Sequence, residues 1–180
     1  MKGTRLDKFT TGDYFPGSLL IRVIWYMANA IFFNTSLPFP SVLKVKILRL
    51  FGADVGRGIV IKPRVNIKYP WFLIIGSNCW IGEGVWIDNL GLVEIGNDVC
   101  LSQGCLLLTG SHNYKISTFD LMIGKIVLKN GVWIGAKAIV CQNVVCERES
   151  VLAAGSVATT NLGEEHVFQG NPAKFKRFRC

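Results

Sequence analysis

The sequence predicts an all-β fold, a three-faced coil of short parallel strands entered through an N-terminal helical segment and left through a short basic tail. Three observations predict it. An aliphatic residue recurs every six positions through most of the chain, a mostly small residue follows four positions later, and the breaks in the period fall three repeats apart. A period of six fits neither a helix nor a long alternating strand. It fits a short strand plus a sharp turn, three of which close a triangle.

The 180 residues are half apolar, which suits one domain with a sizeable core. With 18 % charged residues, 19 Gly and 6 Pro, the chain is neither disordered nor collagen-like, and it is too polar for a polytopic membrane protein. The net charge of +8 is concentrated at the ends. Residues 1–68 hold eleven Lys/Arg against Asp7, Asp13 and Asp54, while residues 69–173 hold five against nine Asp/Glu. Lys174, Lys176, Arg177 and Arg179 follow. No nucleic-acid motif accompanies this charge, so an anionic membrane surface or a phosphate-bearing cofactor explains it better than nucleic acid does. The six cysteines form no C-x-x-C pair, and "MKGTRLDKFTTGDYF" has no apolar signal core. The expectation is a cytoplasmic chain with reduced, buried cysteines and no metal.

Residues 1–52 form the helical segment. "PGSLLIRVIWYMANAIFF" (16–33) starts with Pro16 and Ser18 as helix signals and is interrupted by Arg22 and Asn29. From Ser18 to Phe33 it falls short of the ~20 apolar residues needed to span a bilayer. "LPFP" breaks it, and "SVLKVKILRLFG" (41–52) reads as a second, basic amphipathic helix. The preferred expectation is that both pack on the body or on a partner subunit. The other is a contact at the inner membrane face, with Arg22, Lys44, Lys46 and Arg49 toward lipid phosphates.

Residues 53–158 carry the repeat. Its key positions are Val55, Ile61 and Ile67; Ile75, Ile81 and Ile87; Ile95, Leu101 and Leu107; then Leu128, Ile134, Val140, Cys146 and Leu152. Four residues on from Ile75 and its successors stand Cys79, Val85, Gly91, Val99, Cys105, Ser111, Val132, Ala138, Val144, Ser150 and Ser156. The key residue should point inward and the small one should fit near a corner. Glycine, which follows at Gly56, Gly76, Gly82, Gly96 and Gly135, should tolerate the turn.

The period breaks at Ile67–Ile75 and Ile87–Ile95, where eight residues replace six, and at Leu107–Leu128, where fifteen are inserted as a loop at about 110–127. Breaks three repeats apart fall on one corner of successive coils, which stack about 4.8 Å apart. Asp88 and Asn89 should therefore lie within a few residue-widths of His112. A polar cluster beside an extruded loop is where a ligand site is expected.

"WIGEGVWI" and "VWIGAKAIV" closely resemble the hexad of the hexapeptide-repeat acyltransferases, which are left-handed parallel β-helices. "GSVATTNL…FQGNPAK" resembles the family's "G-A-G-S-V-V-T…A-G-N-P-A-K" ending. "FFNTSLPFPS…LRLFGADVG…VIKPRVNIKYPW" is similar to the colanic-acid and exopolysaccharide biosynthesis acetyltransferases. The resemblance implies an acetyl-CoA-dependent O-acetyltransferase acting on a sugar hydroxyl in surface-glycan assembly, usually as a homotrimer with active sites shared between subunits. It puts the catalytic base on His112. That role suits a histidine with an ordinary pKa near ~6.5, and the acyl group passes directly, without a covalent enzyme intermediate. A backbone carbonyl, Asp88 or Asn89 would fix the tautomer. By position, the resemblance implies coenzyme A contacts from Trp133, Gly135, Ala136, Ala154, Thr159, Lys174 and Arg177 in the coils and the 159–180 basic tail. Thr160 stands where the family often has Lys, which bears on one phosphate contact. Lys176 and Arg179 read equally as a solvated tail, and His166 is assigned no role. An N-acetyltransferase on an amino sugar, helped by Asp88, and a non-catalytic β-helix scaffold stay open. A γ-type carbonic anhydrase needs three zinc-binding histidines, and only two histidines exist.

Overall fold

A computed structural model describes residues 3–180. Two helices, α1 (Leu19–Phe32) and α2 (Ser41–Leu50), precede the strands. The coils then follow in order. The first is β1 (Asp54–Val55), β2 (Val60–Ile61) and β3 (Asn66–Ile67); the second is β4 (Leu73–Ile75), β5 (Trp80–Ile81) and β6 (Trp86–Asp88). The third is β7 (Val93–Ile95), β8 (Cys100–Leu101) and β9 (Leu106–Leu108), from which β10 (Gly110–His112) and β11 (Leu121–Ile123) project as a hairpin. The fourth is β12 (Ile126–Leu128), β13 (Trp133–Ile134) and β14 (Ile139–Cys141); the fifth is β15 (Val145–Cys146), β16 (Val151–Leu152) and β17 (Val157–Ala158). β18 (His166–Gly170) and β19 (Ala173–Phe178) end the chain.

Corresponding strands stack in parallel register into three faces. The first face is β1-β4-β7-β12-β15, the second β2-β5-β8-β13-β16, and the third β3-β6-β9-β14-β17. This is the parallel β-helix that the hexad predicts. All fourteen key residues are buried, so the prism interior is a column of aliphatic side chains with Cys146 among them.

The corners work differently from the sequence reading. The left-handed residue stands three positions after the key, at Gly58, Asn78, Asp98, Gly131 and Glu149 on the first corner. Asn and Asp tolerate that conformation, and Gly adopts it freely. The glycines directly after the key are needed instead for close stacking. A Cβ on Gly76 would lie 2.6 Å from the Gly96 carbonyl, and one on Gly135 2.5 Å from the Ala154 nitrogen. Gly91 and Ser111 are not inward corner residues either: Gly91 is half-buried and Ser111 is exposed on β10. At that third corner Asn89 and Thr109 are buried, and Leu73, Val93 and Ile126 supply the interior.

The open end of the first coil would present unpaired backbone groups, a hazard that exposed strand edges carry. The two helices supply partners. Trp25 Nε1 donates to the Ile67 carbonyl at 2.9 Å, and Asn29 bonds Asn66 and the Ile67 N–H. Lys44 Nζ donates to the carbonyls of Ile61 and Lys62, and the Arg49 guanidinium to those of Val55 and Gly56. The helices thus pack on the body, the preferred expectation. Of the four cations expected to face lipid phosphates in the alternative, Lys44 and Arg49 bond to protein carbonyls and Arg22 is half-buried, which corrects it for these three, while Lys46 is exposed. Among the described residues no helix is long and apolar enough to cross a membrane.

The far end is closed too. Residues 166–178, read as part of a basic tail, form an antiparallel hairpin: β18 joins β16 on the second face and β19 pairs with β18. Arg179 fastens it, donating to the carbonyls of Gly131 and Glu149 and pairing with the Glu149 carboxylate at 2.8 Å.

Candidate active site

The chain leaves the prism after Leu108, and the excursion is an ordered hairpin. Gly110 pairs with Ile123, Ser111 with Met122 and His112 with Leu121. It returns at Ile126, which is buried and already on β12, so the coil resumes just inside the expected 127 boundary. The break of fifteen residues therefore places His112 at the end of a strand, where backbone pairing fixes its position.

His112 Nδ1 lies 3.1 Å from the carbonyl oxygen of Phe119. A carbonyl oxygen only accepts, so Nδ1 carries the proton and donates. In the neutral ring Nε2 then holds the free lone pair. The Phe119 ring stacks on the imidazole at 4.4 Å and 7°, and Phe9 packs against it at 5.6 Å. Phe9 belongs to an N-terminal strap along the hairpin. In it Arg5 N–H donates to the Ser117 carbonyl, and Leu121 N–H to that of Thr10. The Tyr14 hydroxyl donates to the Leu90 carbonyl at 2.8 Å. Burial, with Tyr69 and Asp88 nearby, pushes the Tyr14 phenol well above its ordinary value, so it stays a neutral donor.

Asp88 and Asn89 lie one coil below on the same corner, as the spacing of the breaks implies. Asp88 pairs with Leu108 in the sheet, but its carboxylate turns to Lys68 Nζ at 3.1 Å. Asn89 is fully buried. Its Oδ1 accepts from the Tyr69 N–H, and its Nδ2 donates to the carbonyls of Tyr69 and Phe72. Neither makes a hydrogen bond to His112. The tautomer is fixed by the backbone carbonyl of Phe119, the first of the options the sequence left.

The residues implied for coenzyme A divide between two corners. Trp133 stands on the second face, its indole half exposed and its Nε1 donating to Ser102 Oγ at 2.9 Å. Gly135 and Ala136 follow on the second corner, and Ala154 is exposed one coil above. Lys174 and Arg177 stand exposed on β19, which continues this face, with Lys174 opposite Gln169 and Arg177 opposite Val167. Thr159 follows β17 and belongs to the third corner with His112. The third face separates His112 from Trp133, Gly135, Ala136 and Ala154, so one chain does not bring them together.

Among the described residues no group of His, Cys, Asp and Glu could hold a metal ion. The cysteines are free thiols, with Cys79, Cys105 and Cys146 in the interior.

No family model matches the sequence. WcaF, a colanic acid biosynthesis acetyltransferase of Escherichia coli K12, is 34 % identical over 178 residues, 97 % of this chain and 96 % of its own length. The chain belongs to the hexapeptide-repeat acetyltransferases. The galactoside O-acetyltransferase of E. coli K12 is 26 % identical across 81 % of this acetyltransferase and 73 % of its own chain. The structure of the hexapeptide-repeat acetyltransferase VCA0836 of Vibrio cholerae O1 biovar eltor, complexed with acetyl coenzyme A, superposes with a TM-score of 0.82. That match is 20 % identical and covers 96 % of this chain and 97 % of that one. A galactoside acetyltransferase in complex with coenzyme A superposes at 0.73 with 23 % identity, covering 88 % and 80 %.

Sequence reasoning missed Phe119, Phe9 and Ser102 in this acetyltransferase. Phe119 sits inside the insertion, where no period ties it to His112, and it acts partly through its backbone. Ser102 was within reach. It follows key residue Leu101, one coil below Trp133 on the same face.

Proposed function

We propose that this protein is an acetyl-CoA-dependent O-acetyltransferase of the cytoplasm that acetylates a sugar hydroxyl in surface-glycan assembly. His112 is the general base. The observation that carries the reading is the Nδ1–H bond to the Phe119 carbonyl, which leaves Nε2 as a lone pair held by stacking in one orientation. Names of the relatives, in colanic acid biosynthesis and galactoside O-acetylation, support a sugar acceptor.

The chemistry balances with one base. His112 Nε2 takes the proton of the acceptor hydroxyl as its oxygen bonds to the acetyl carbon. Backbone N–H groups of the coil stabilise the oxyanion. The C–S bond breaks, and the imidazolium returns its proton to the departing thiolate, leaving an ester and a free thiol. Nδ1–H keeps its carbonyl acceptor throughout. No nucleophilic cysteine is needed. Burial pushes the Cys105 thiol up to about 12, which suits a core residue and not a thiolate nucleophile.

The exposed chemistry of the second face suits coenzyme A as co-substrate. The Trp133 indole offers an apolar platform, and Gly135, Ala136 and Ala154 leave a low corner for an extended tether. Lys174 and Arg177 offer charge to phosphates. Because this set and His112 occupy different corners, the reading requires a homotrimer in which His112 of one subunit faces the second corner of its neighbour.

The test is thiol release from acetyl-CoA against a panel of sugar acceptors, comparing wild type with His112→Ala. Loss of the base should lower acceptor-dependent release by about 10²–10⁴-fold. Equal rates would remove the general-base role, and no release with any acceptor, sugar or amino sugar, would count against the acceptor class.

A further inference from the structure

α1 has an outward face that a solvated helix does not have. Trp25 and Asn29 turn to the first coil, while Leu19, Leu20, Val23, Ile24, Met27 and Ile31 are each 49–71 % exposed. These positions follow helical spacing and form one stripe about 18 Å long. The only charge on α1 is Arg22, which is half-buried and lines a groove beside the helix with Asn34 and Trp86, at the margin of the stripe where Leu19 and Val23 also border it. α2, on the same end of the prism, exposes Val42 and Leu50. A continuous apolar stripe of this kind marks an interaction surface.

We propose that this face docks on an anionic membrane surface, with α1 lying in the plane of the interface. The cations at this end decide the occupant. Lys46 on α2 and Arg57 and Lys62 on the corners of the first coil are exposed, and they make no salt bridge among the described residues. Of the acidic residues in positions 1–68, Asp7 is paired with Arg5, and only Asp54 stands exposed on the first coil, so cations outnumber acids at this end. A second copy docked end to end would set two positive ends against each other, whereas phosphate headgroups complement them. A helix of 14 residues with one wholly apolar side suits burial to the acyl boundary, not a crossing. The face is at the end of the prism, so lateral association through the three faces leaves it open. This docking is independent of the acyl-transfer chemistry, and its failure would leave that reading intact.

The experiment is flotation of the full-length protein with phosphatidylglycerol-containing vesicles and with phosphatidylcholine vesicles. The protein should float with the anionic vesicles at low salt and be released at high salt. Leu20→Glu/Ile24→Glu, two solvent-facing changes, should weaken vesicle binding by at least about tenfold while melting temperature, thiol release and sedimentation mass stay unchanged. Three results would overturn the proposal: no flotation at low salt, a double variant that floats like wild type, or a double variant with altered oligomeric mass, which would assign the face to a second copy.

Discussion

The backbone occupies one nitrogen of His112 and leaves the other free for the proposed role as base. Nδ1 is spent on the Phe119 carbonyl, so no side-chain substitution at Asp88 or Asn89 can replace that support directly. Asp88 is engaged by Lys68, and Asn89 stitches two coils together. The cysteines show the same dependence on surroundings. Burial drives Cys105 and Cys146 up to about 12 and also raises Cys79. At pH 8 a thiol near 12 is ionised to only about one part in ten thousand, so it cannot attack a disulfide reagent. In a native thiol titration at that pH, exposed Cys180 reacts quickly, while Cys79, Cys105 and Cys146 react only after unfolding. Rapid modification of the interior three in the folded protein would contradict the burial. His112 was legible in the sequence because it stands where the period breaks. Phe119 was not, because hairpin pairing inside the insertion, and not the hexad, brings it to the imidazole.

Each strand contributes little alone, and stability comes from stacking identical steps. Ile134 is fully buried in the prism, whereas Ile74, on the outward side of its strand, is 39 % exposed. Ile134→Ala should cost about 2–5 kcal/mol by opening a cavity in the aliphatic column, against less than about 1 kcal/mol for Ile74→Ala. Denaturant unfolding measures both, and equal losses would mean that the inward–outward assignment is wrong. Elements of this kind read well from sequence because burial imposes a strict period on side-chain type. The glycines read less well: their position was visible, but close contact with the next coil, and not turn geometry, requires them. "AKFKRF" read only as part of a basic tail, with Lys174 and Arg177 as coenzyme A contacts, because its charges hide an edge strand that extends the second face. In α2 the basic residues suggested an outward face, yet Lys44 and Arg49 cap carbonyls of the first coil, a demand of the solenoid's open end that local pattern does not display.

Over the whole molecule, the prism separates what the chemistry must join. His112 projects from the third corner, and Trp133, Gly135, Ala136 and Ala154 line the second, with a full sheet between them. The proposed closed ring of three copies would resolve this by giving each site one corner from each of two neighbours. In the same proposal the apolar end formed by α1 would lie off this lateral contact, open to the proposed membrane docking. The most direct test mixes two inactive proteins. His112→Ala lacks the base, and Ala154→Trp fills the exposed second corner without entering the core. Each homotrimer should be inactive in thiol release. Trimers reassembled from equal amounts of both should recover roughly a quarter of wild-type activity, because one site in four draws an intact corner from each neighbour. Hybrids as inactive as their parents would contradict the shared site and the placement of His112 as its base.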